Sequence, residues 1–216
     1  PGLSRHREAA ELARRVVAES ERPLVIDADG LSAFEGLADA LGRAQAPRVL
    51  TPHLGEMGRL TGVASETLEA TRIDAAPEWA RRWRSVVVLK GAPTVTASPE
   101  GAVTVNPTGN PGMATVGMGD VLAGVIAALI AQGLSPFDAA RLGAYAHGMA
   151  GDLVAAEKGQ YGIVAGDVAE AMPGALFALG QLRDERAAPV AGRKGHARSG
   201  RPPVDRAPPR ERSDAT

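Results

Sequence analysis

Residues 106–123 read Asn-Pro-Thr-Gly-Asn-Pro-Gly-Met-Ala-Thr-Val-Gly-Met-Gly-Asp-Val-Leu-Ala. Small residues and prolines continue without apolar periodicity as far as Gly117. After Asp120, apolar residues recur at the spacing of one helix face, at Val121, Leu122, Val125, Ile126, Leu129 and Ile130. The sequence therefore predicts a glycine-rich loop that leads directly into a helix.

Such a junction binds anions, because the first N–H groups of a helix have no intrahelical partners and carry the positive end of the dipole. Gly117 and Gly119 lack the Cβ atoms that would keep a phosphate away, so we expect Gly117, Met118 and Gly119 to form an anion loop. A carboxylate repels a bound polyphosphate, so Asp120 needs another role. It fits either an N-cap or a base that faces a substrate hydroxyl.

The composition describes one domain of ordinary size with a core of small side chains. The chain has 216 residues, of which 44% are apolar and 3% aromatic. It has no cysteine, which excludes disulfides and thiol chemistry. No apolar run approaches the roughly 20 residues of a membrane helix, and the start does not resemble a signal peptide. We expect a cytoplasmic protein without a membrane partner.

The two ends of the chain differ from its middle. Residues 1–182 are predicted to form the domain, and residues 183–216, rich in Arg and Pro, a disordered tail. The tail holds nine Arg and Lys against five Asp and Glu, but its lack of aromatics favours a solvated extension over nucleic-acid or membrane binding. The chain opens at Pro1 as if inside a loop, so we expect the front strands to be missing.

Short apolar runs predict strands at Leu24–Ile26, Arg48–Leu50 and Val86–Leu89, and a hairpin follows at 94–97 and 102–105. Helices are predicted at 5–19, 31–41, 56–60, 66–84 with a break before Pro77, 120–132, 136–158 and 165–182. Strands that alternate with helices indicate an α/β fold with a mainly parallel sheet covered on both faces.

Polar residues follow the predicted strands at what should be one edge of the sheet, where open α/β sheets bind ligands. They are Asp27 and Asp29, then His53, then Lys90. Each has an ordinary explanation: helix caps for the two aspartates, a surface hydrogen-bonder for His53, and a solvated side chain for Lys90. Their convergence with the anion loop favours a shared functional site.

The four histidines, His6, His53, His147 and His196, are isolated in sequence, so no protein metal cage is predicted. A Mg²⁺ ion that arrives with nucleotide phosphates needs one or two carboxylates and waters. His147 stands among glycines and alanines on a predicted helix. We expect it to be a satisfied core or helix-contact histidine.

Three stretches carry a resemblance to a known family. They are Thr51-Pro52-His53-Leu54-Gly55-Glu56, Leu89-Lys90-Gly91-Ala92-Pro93-Thr94 and residues 109–122. In this order they resemble the ADP- or ATP-dependent NAD(P)H-hydrate dehydratases of the ribokinase-like superfamily, from Pro1 to about Leu182. The resemblance implies a three-layer α/β/α fold and a homotetramer.

It also implies a lyase that repairs hydrated NADH or NADPH: a nucleotide phosphorylates the ring hydroxyl, and phosphate is then eliminated. By position, Asp120 would be the catalytic base, and Gly2 and His53 would join it in contacting the hydrated dinucleotide. Lys90, Gly91, Ala92, Pro93, Thr94 and Gly119 would bind ADP or ATP, with Mg²⁺ as cofactor.

The sequence also departs from the family pattern. Val116 and Leu54 stand where the family usually has Gly and Pro, and Val116 introduces a β-branched side chain into the phosphate loop. The opening Pro1–Ser4 resembles the end of the family's substrate loop, which suggests a truncated dehydratase, possibly from a protein that also holds an epimerase domain. Two other hypotheses remain: a vitamin-precursor kinase such as a hydroxyethylthiazole kinase, and a non-catalytic nucleotide-binding fragment.

Overall fold

Five strands form one sheet, and their order across the sheet is the same as their order along the chain. The structure is a computed structural model that describes residues 1–187, with side chains as far as Gln181. The strands are β1 (Leu24–Ile26), β2 (Arg48–Leu50), β3 (Val86–Leu89), β4 (Val95–Ala97) and β5 (Val103–Val105). β1, β2 and β3 are parallel, with Leu24 opposite Arg48 and Val49 opposite Val86. β4 pairs antiparallel with both β3 and β5, so the predicted α/β sheet and its hairpin are confirmed.

Eight α-helices and two 3₁₀-helices connect and cover the strands within the described residues. They are α1 (Arg7–Glu19), α2 (Asp29–Ser32), a 3₁₀-helix (Ala38–Arg43), α3 (Leu54–Thr61), α4 (Ser65–Ala70), α5 (Arg72–Trp83), a 3₁₀-helix (Pro111–Met113), α6 (Met118–Ala131), α7 (Pro136–Lys158) and α8 (Ala165–Ala187). None of the helices in this part of the chain has a stretch long and apolar enough to cross a membrane.

Two predicted helices are wrong in detail. The single helix at 31–41 is divided, because Gly36 adopts a φ of +74° between α2 and the 3₁₀-helix that follows. In the segment 66–84 the break falls at Thr71, whose φ is −116°, and Pro77 lies inside α5. α5 buries Trp79 and Trp83, so core packing holds this helix together despite the proline.

Apolar residues pack on both faces of the sheet, as alternation along β3 shows. Val87 and Leu89 belong to a core shared with α1 and α5, where the Trp79 and Trp83 rings lie 5.0 Å apart. Val86 and Val88 face the other way and pack against α6 and α7. The helix, sheet and helix layers of the predicted fold are therefore present.

The last helix extends beyond its predicted end. α8 continues to Ala187, whereas the helix was predicted at 165–182. The rest of the predicted disordered tail lies outside the described residues.

Candidate active site

A buried ion pair occupies the carboxyl ends of the parallel strands. Lys90 follows β3 and Asp27 follows β1, and Lys90 Nζ donates to Asp27 Oδ1 over 2.8 Å. The same oxygen accepts a hydrogen bond of 2.8 Å from Thr51 Oγ1, at the end of β2. Asp27 is buried and caps no helix, and Lys90 is largely buried, so the cap explanation for Asp27 and the solvated explanation for Lys90 are both wrong.

His53 and Glu56 join the cluster through the start of α3. His53 Nδ1 accepts from the Gly55 N–H at 3.0 Å, while Glu56 Oε2 accepts from the His53 N–H at 2.8 Å, a reciprocal capping arrangement. Glu56 Oε2 also lies 3.7 Å from Lys90 Nζ, so one ammonium group faces two buried carboxylates. His53 keeps 54% of its side chain exposed, so its capping bond is made at the surface and leaves the ring accessible.

The glycine-rich loop meets this cluster at the first turn of α6. Gly117 is the N-cap and adopts a φ of +87°, and the helix hydrogen bonds begin with the Val121 N–H, which donates to the Gly117 carbonyl. The N–H groups of Met118, Gly119 and Asp120 therefore precede that bonding, as an anion site requires. Asp120 is the third residue of the helix and is exposed, so the N-cap alternative is wrong.

Gly119 lies against the ion pair. A Cβ atom at this position would stand 3.1 Å from Lys90 Nζ and 3.3 Å from Asp27 Oδ2. Free helix N–H groups and the Lys90 ammonium are thus brought to one place, although the ammonium is shared with Asp27 and Glu56. Both can donate hydrogen bonds to an anion. The β-branched Val116 of the preceding segment is 94% exposed and points away from the packed part of the loop.

The predicted nucleotide segment 90–94 forms a tight turn supported from beneath by an arginine. Gly91 packs on the guanidinium of Arg72, which donates to the Pro93 carbonyl and pairs with Glu69. Thr94 Oγ1 closes the turn through hydrogen bonds with the N–H and carbonyl of Gly91. A cavity of about 320 Å³ opens beside Ala92 and Pro93 and is bordered by residues 69–74.

The start of the chain reaches the same edge of the sheet. Ser4 N–H donates to Asp29 Oδ2 at 3.0 Å, and Gly2 adopts a φ of +74° two residues earlier. The helix-cap explanation for Asp29 is therefore wrong, because its carboxylate holds the N-terminal segment instead. Gly2, to which the resemblance assigns a substrate contact, is exposed.

A larger cavity lies elsewhere. It has a volume of about 550 Å³ between the β4–β5 hairpin and α7, with Thr104, Asp138 and Tyr145 among its lining residues. None of the predicted site residues lines it. The convergence of charge at the strand ends, rather than cavity size, identifies the candidate site.

His147 is buried on α7 and contacts the Met118 backbone of α6, as a core or helix-contact histidine would, but it is only partly satisfied. Its Nε2 finds no hydrogen-bond partner among the described residues. Burial lowers the pKa of His147 from 6.5 to about 4, the Lys90 charge adds to this, and the Met118 backbone opposes it. His147 is therefore neutral near pH 7 and lies close to the start of α6.

Sequence reasoning located Lys90 and Gly119, which the structure brings together, but it assigned no role to three other members of the site. Thr51 and Glu56 lie inside a stretch already singled out, directly after a strand and at the third position of α3. Arg72 lies on α5, distant in sequence from the turn that it supports, and no local pattern identifies it. Among the side chains that the structure describes, which end at Gln181, no three His, Asp or Glu form a metal cage.

Comparison with known proteins agrees with this architecture. The family model for NAD(P)H-hydrate dehydratase matches residues 1–174. The bifunctional NAD(P)H-hydrate repair enzyme Nnr of Moorella thermoacetica is 46% identical over 86% of this chain. The ADP-dependent (S)-NAD(P)H-hydrate dehydratase of Xanthomonas campestris is 40% identical over 83%. The chain covers 34% and 60% of these two relatives.

Solved structures extend the comparison to three dimensions. The Bacillus subtilis ADP/ATP-dependent NAD(P)H-hydrate dehydratase, co-crystallized with ATP/Mg²⁺ and soaked with CoA, is 31% identical with a TM-score of 0.73. That alignment covers 82% of this chain and 64% of the other. A hydroxyethylthiazole kinase from Pyrococcus horikoshii, 17% identical with a TM-score of 0.50, shares the fold alone. The chain described here therefore belongs to the NAD(P)H-hydrate dehydratase family, within the ribokinase-like fold.

Proposed function

We propose that this chain carries the phosphoryl-transfer site of a nucleotide-dependent (S)-NAD(P)H-hydrate dehydratase, a lyase that restores NADH or NADPH from its hydrate. The observation that carries the proposal is the position of Gly119 against Lys90 and Asp27. It joins the free N–H groups of α6 to a buried ammonium, which suits a transferring phosphoryl group. The similarity to the dehydratases of known structure supports the same assignment.

Asp120 is proposed as the base. Its exposed carboxylate takes the proton of the substrate ring hydroxyl, whose oxygen attacks the terminal phosphoryl group of ADP or ATP as the nucleotide product leaves. The N–H groups of Gly117, Met118 and Gly119 stabilise the charge on the transferring group. Phosphate then leaves the ring carbon as the neighbouring carbon loses a proton, which restores the double bond.

Gly2 and His53 are proposed to contact the hydrated dinucleotide, together with Asp120. Both are exposed, and the His53 imidazole, which caps α3 through Nδ1, keeps 54% of its side chain exposed. Lys90, Gly91, Ala92, Pro93 and Thr94 are proposed to bind the nucleotide with Gly119. Lys90 attracts phosphate oxygens, while the turn offers its backbone beside the adjoining cavity.

Mg²⁺ fits this site as an ion that arrives with the nucleotide. Asp27 Oδ1 is already engaged by Lys90 and Thr51, but Asp27 Oδ2 faces Gly119, where phosphates would lie. One or two carboxylates and waters are the usual protein share of a magnesium–nucleotide complex. Bound there, the ion would supply charge neutralisation to the phosphates.

We also propose a cytoplasmic homotetramer. Size-exclusion chromatography with light scattering tests the oligomeric state.

The test is direct: the protein is incubated with hydrated NADH or NADPH, ADP or ATP and magnesium, and the absorbance of the reduced nicotinamide is followed. Recovery that depends on nucleotide supports the proposal, and comparison of ADP with ATP identifies the donor. Phosphorylation of hydroxyethylthiazole instead would favour the kinase. Nucleotide binding without either reaction would favour a non-catalytic fragment, and in each case the proposed dehydratase activity is rejected.

A further inference from the structure

The segment that precedes the anion loop lies in two notches on α7. Gly148 and Gly151 form the notches, because a Cβ atom at either would overlap Thr108 or the Met113 side chain. Thr108 Oγ1 also donates to the Tyr145 carbonyl at 2.8 Å. The absence of side chains on this stripe of α7 therefore lets the segment approach the helix backbone.

Asp152, one residue beyond the second notch, fixes the segment with both carboxylate oxygens. Its Oδ2 accepts from the Gly109 N–H and its Oδ1 from Asn110 Nδ2, each at 2.9 Å. Asn110 Oδ1 in turn accepts from the Gly112 N–H at 3.1 Å, in the 3₁₀-helix Pro111–Met113. Three hydrogen bonds thus connect the Asp152 carboxylate to the Gly109 amide directly and to the Gly112 amide through Asn110.

The exposed crest of the loop begins where this anchored part ends. Residues 114–116 are exposed, and Gly117 then packs so closely that its Cβ would lie 3.0 Å from Ala165 Cβ. The crest is therefore held at two points, by Asp152 through the 109–113 segment and by Ala165 at Gly117. Neither anchor belongs to α6, so the path of the crest toward the start of α6 is set by contacts with α7 and α8.

We propose that Asp152 is a positioning residue for phosphoryl transfer, acting through Asn110 to hold the crest beside the N-terminus of α6. This inference rests on the proposed function for its kinetic part. Loss of the anchor leaves the 90–94 turn and its nucleotide contacts intact, since Arg72 and Thr94 support that turn independently. Loss of the anchor should therefore lower kcat more than it raises KM for the nucleotide.

An exchange of the two side chains provides the test. In Asp152→Asn, the new amide meets the amide of Asn110, and no rotamer pair satisfies all three hydrogen bonds. In Asn110→Asp, two carboxylates face each other. In the double variant, the amide at position 152 accepts from the Gly109 N–H and donates to the carboxylate at position 110. That carboxylate still accepts from the Gly112 N–H, so every bond is restored with one donor direction reversed.

We expect each single variant to lose about tenfold or more in kcat, the equivalent of one charged hydrogen bond, and the double variant to recover most of it. Asp138→Asn, the same substitution at the start of α7, where the carboxylate bonds Ser135 and Arg141, is the matched control and should retain kcat. A double variant no better than the worse single variant, or an Asp152→Asn enzyme with full kcat, overturns the proposal.

Hydrogen exchange supplies a readout that does not depend on the reaction. The amides of Gly109 and Gly112 should exchange faster in each single variant and return to the parent rate in the exchanged pair. If the parent protein does not turn over hydrated NADH or NADPH, the proposed function fails while this experiment still decides the anchor. Unchanged amide exchange in Asp152→Asn would overturn the anchor whatever the catalysed reaction is.

Discussion

Lys90 Nζ and Asp27 Oδ1 lie 2.8 Å apart, and the two side chains, 19% and 2% exposed, join the end of β3 to the end of β1 across Thr51. Removing Lys90 leaves the Asp27 charge buried and unpaired, whereas removing the Asp27 charge leaves Lys90 with Glu56, 3.7 Å away. We expect Lys90→Met to lower the free energy of unfolding by about 3–5 kcal/mol and Asp27→Asn to lower it by less, as measured by urea denaturation.

The two variants should differ in ligand binding. Lys90→Met should weaken nucleotide binding about 10-fold to 100-fold, because a charge-assisted contact is lost, while Asp27→Asn keeps the ammonium and should bind nearly as tightly. Isothermal titration with ADP and ATP measures this, without magnesium so that Asp27 has no ion to hold. The double variant should lose less free energy of unfolding than the two single variants lose together. Losses that simply add would show that the pair is not coupled.

Gly119 and Gly124 offer a matched comparison on α6. A Cβ at Gly119 would enter the space beside Lys90 and Asp27, whereas one at Gly124 would meet no atom within 4 Å. Alanine at either position should favour the helix by up to about 1 kcal/mol. Gly119→Ala should nevertheless lose nucleotide affinity and turnover, while Gly124→Ala keeps both and melts at a higher temperature. Equal kinetics for the two variants would contradict an anion site at Gly119.

Asp120→Asn tests the proposed base. The carboxylate is exposed on the third residue of α6, and replacing it leaves the backbone N–H groups unchanged. Turnover should fall by roughly 10² to 10⁴, the usual contribution of a general base, while nucleotide affinity stays within a few-fold. Steady-state kinetics combined with equilibrium nucleotide titration separates the two effects. A variant that keeps most of its rate would remove Asp120 from the mechanism.

His147 should make the protein sensitive to acid. Its pKa falls from 6.5 to about 4 in the fold, so the unfolded chain binds a proton first as the pH is lowered. The free energy of unfolding should therefore decrease between about pH 6.5 and pH 4, by about 3 kcal/mol from this group. Denaturation measured across this range should show a free energy of unfolding that depends less on pH in His147→Gln than in the parent protein. An equal dependence on pH in the two proteins would show that His147 does not titrate as described.

Local patterns were sufficient for the elements that carry strong periodicity. The apolar runs of β1, β2 and β3 and the glycine-rich entry to α6 are confirmed where the sequence predicted them. The failures occurred where backbone conformation depends on a single residue or on distant packing. Gly36 interrupts a run that reads as helical, and the buried tryptophans of α5 outweigh a proline that should have broken the helix.

The candidate site shows the same division. Residues that directly follow strands could be assigned to one edge, because parallel strands end together. The partner of each residue could not be assigned: the sequence does not reveal that Lys90 faces Asp27, or that Arg72 lies beneath Gly91 from a different helix. Such contacts depend on the register of β1, β2 and β3 and on how α5 packs, which only the folded chain defines.

The sequential order of the strands has a consequence for how this enzyme family can diversify. Asp27, His53 and Lys90 are each delivered by a separate strand end, and each strand leads into its own connection. A change in the length or sequence of one connection therefore alters one contributor and leaves the others in place. If the proposed roles hold, we expect changes in the 51–62 connection to alter substrate preference while the proposed phosphate contacts at 90–94 and 117–120 stay in place.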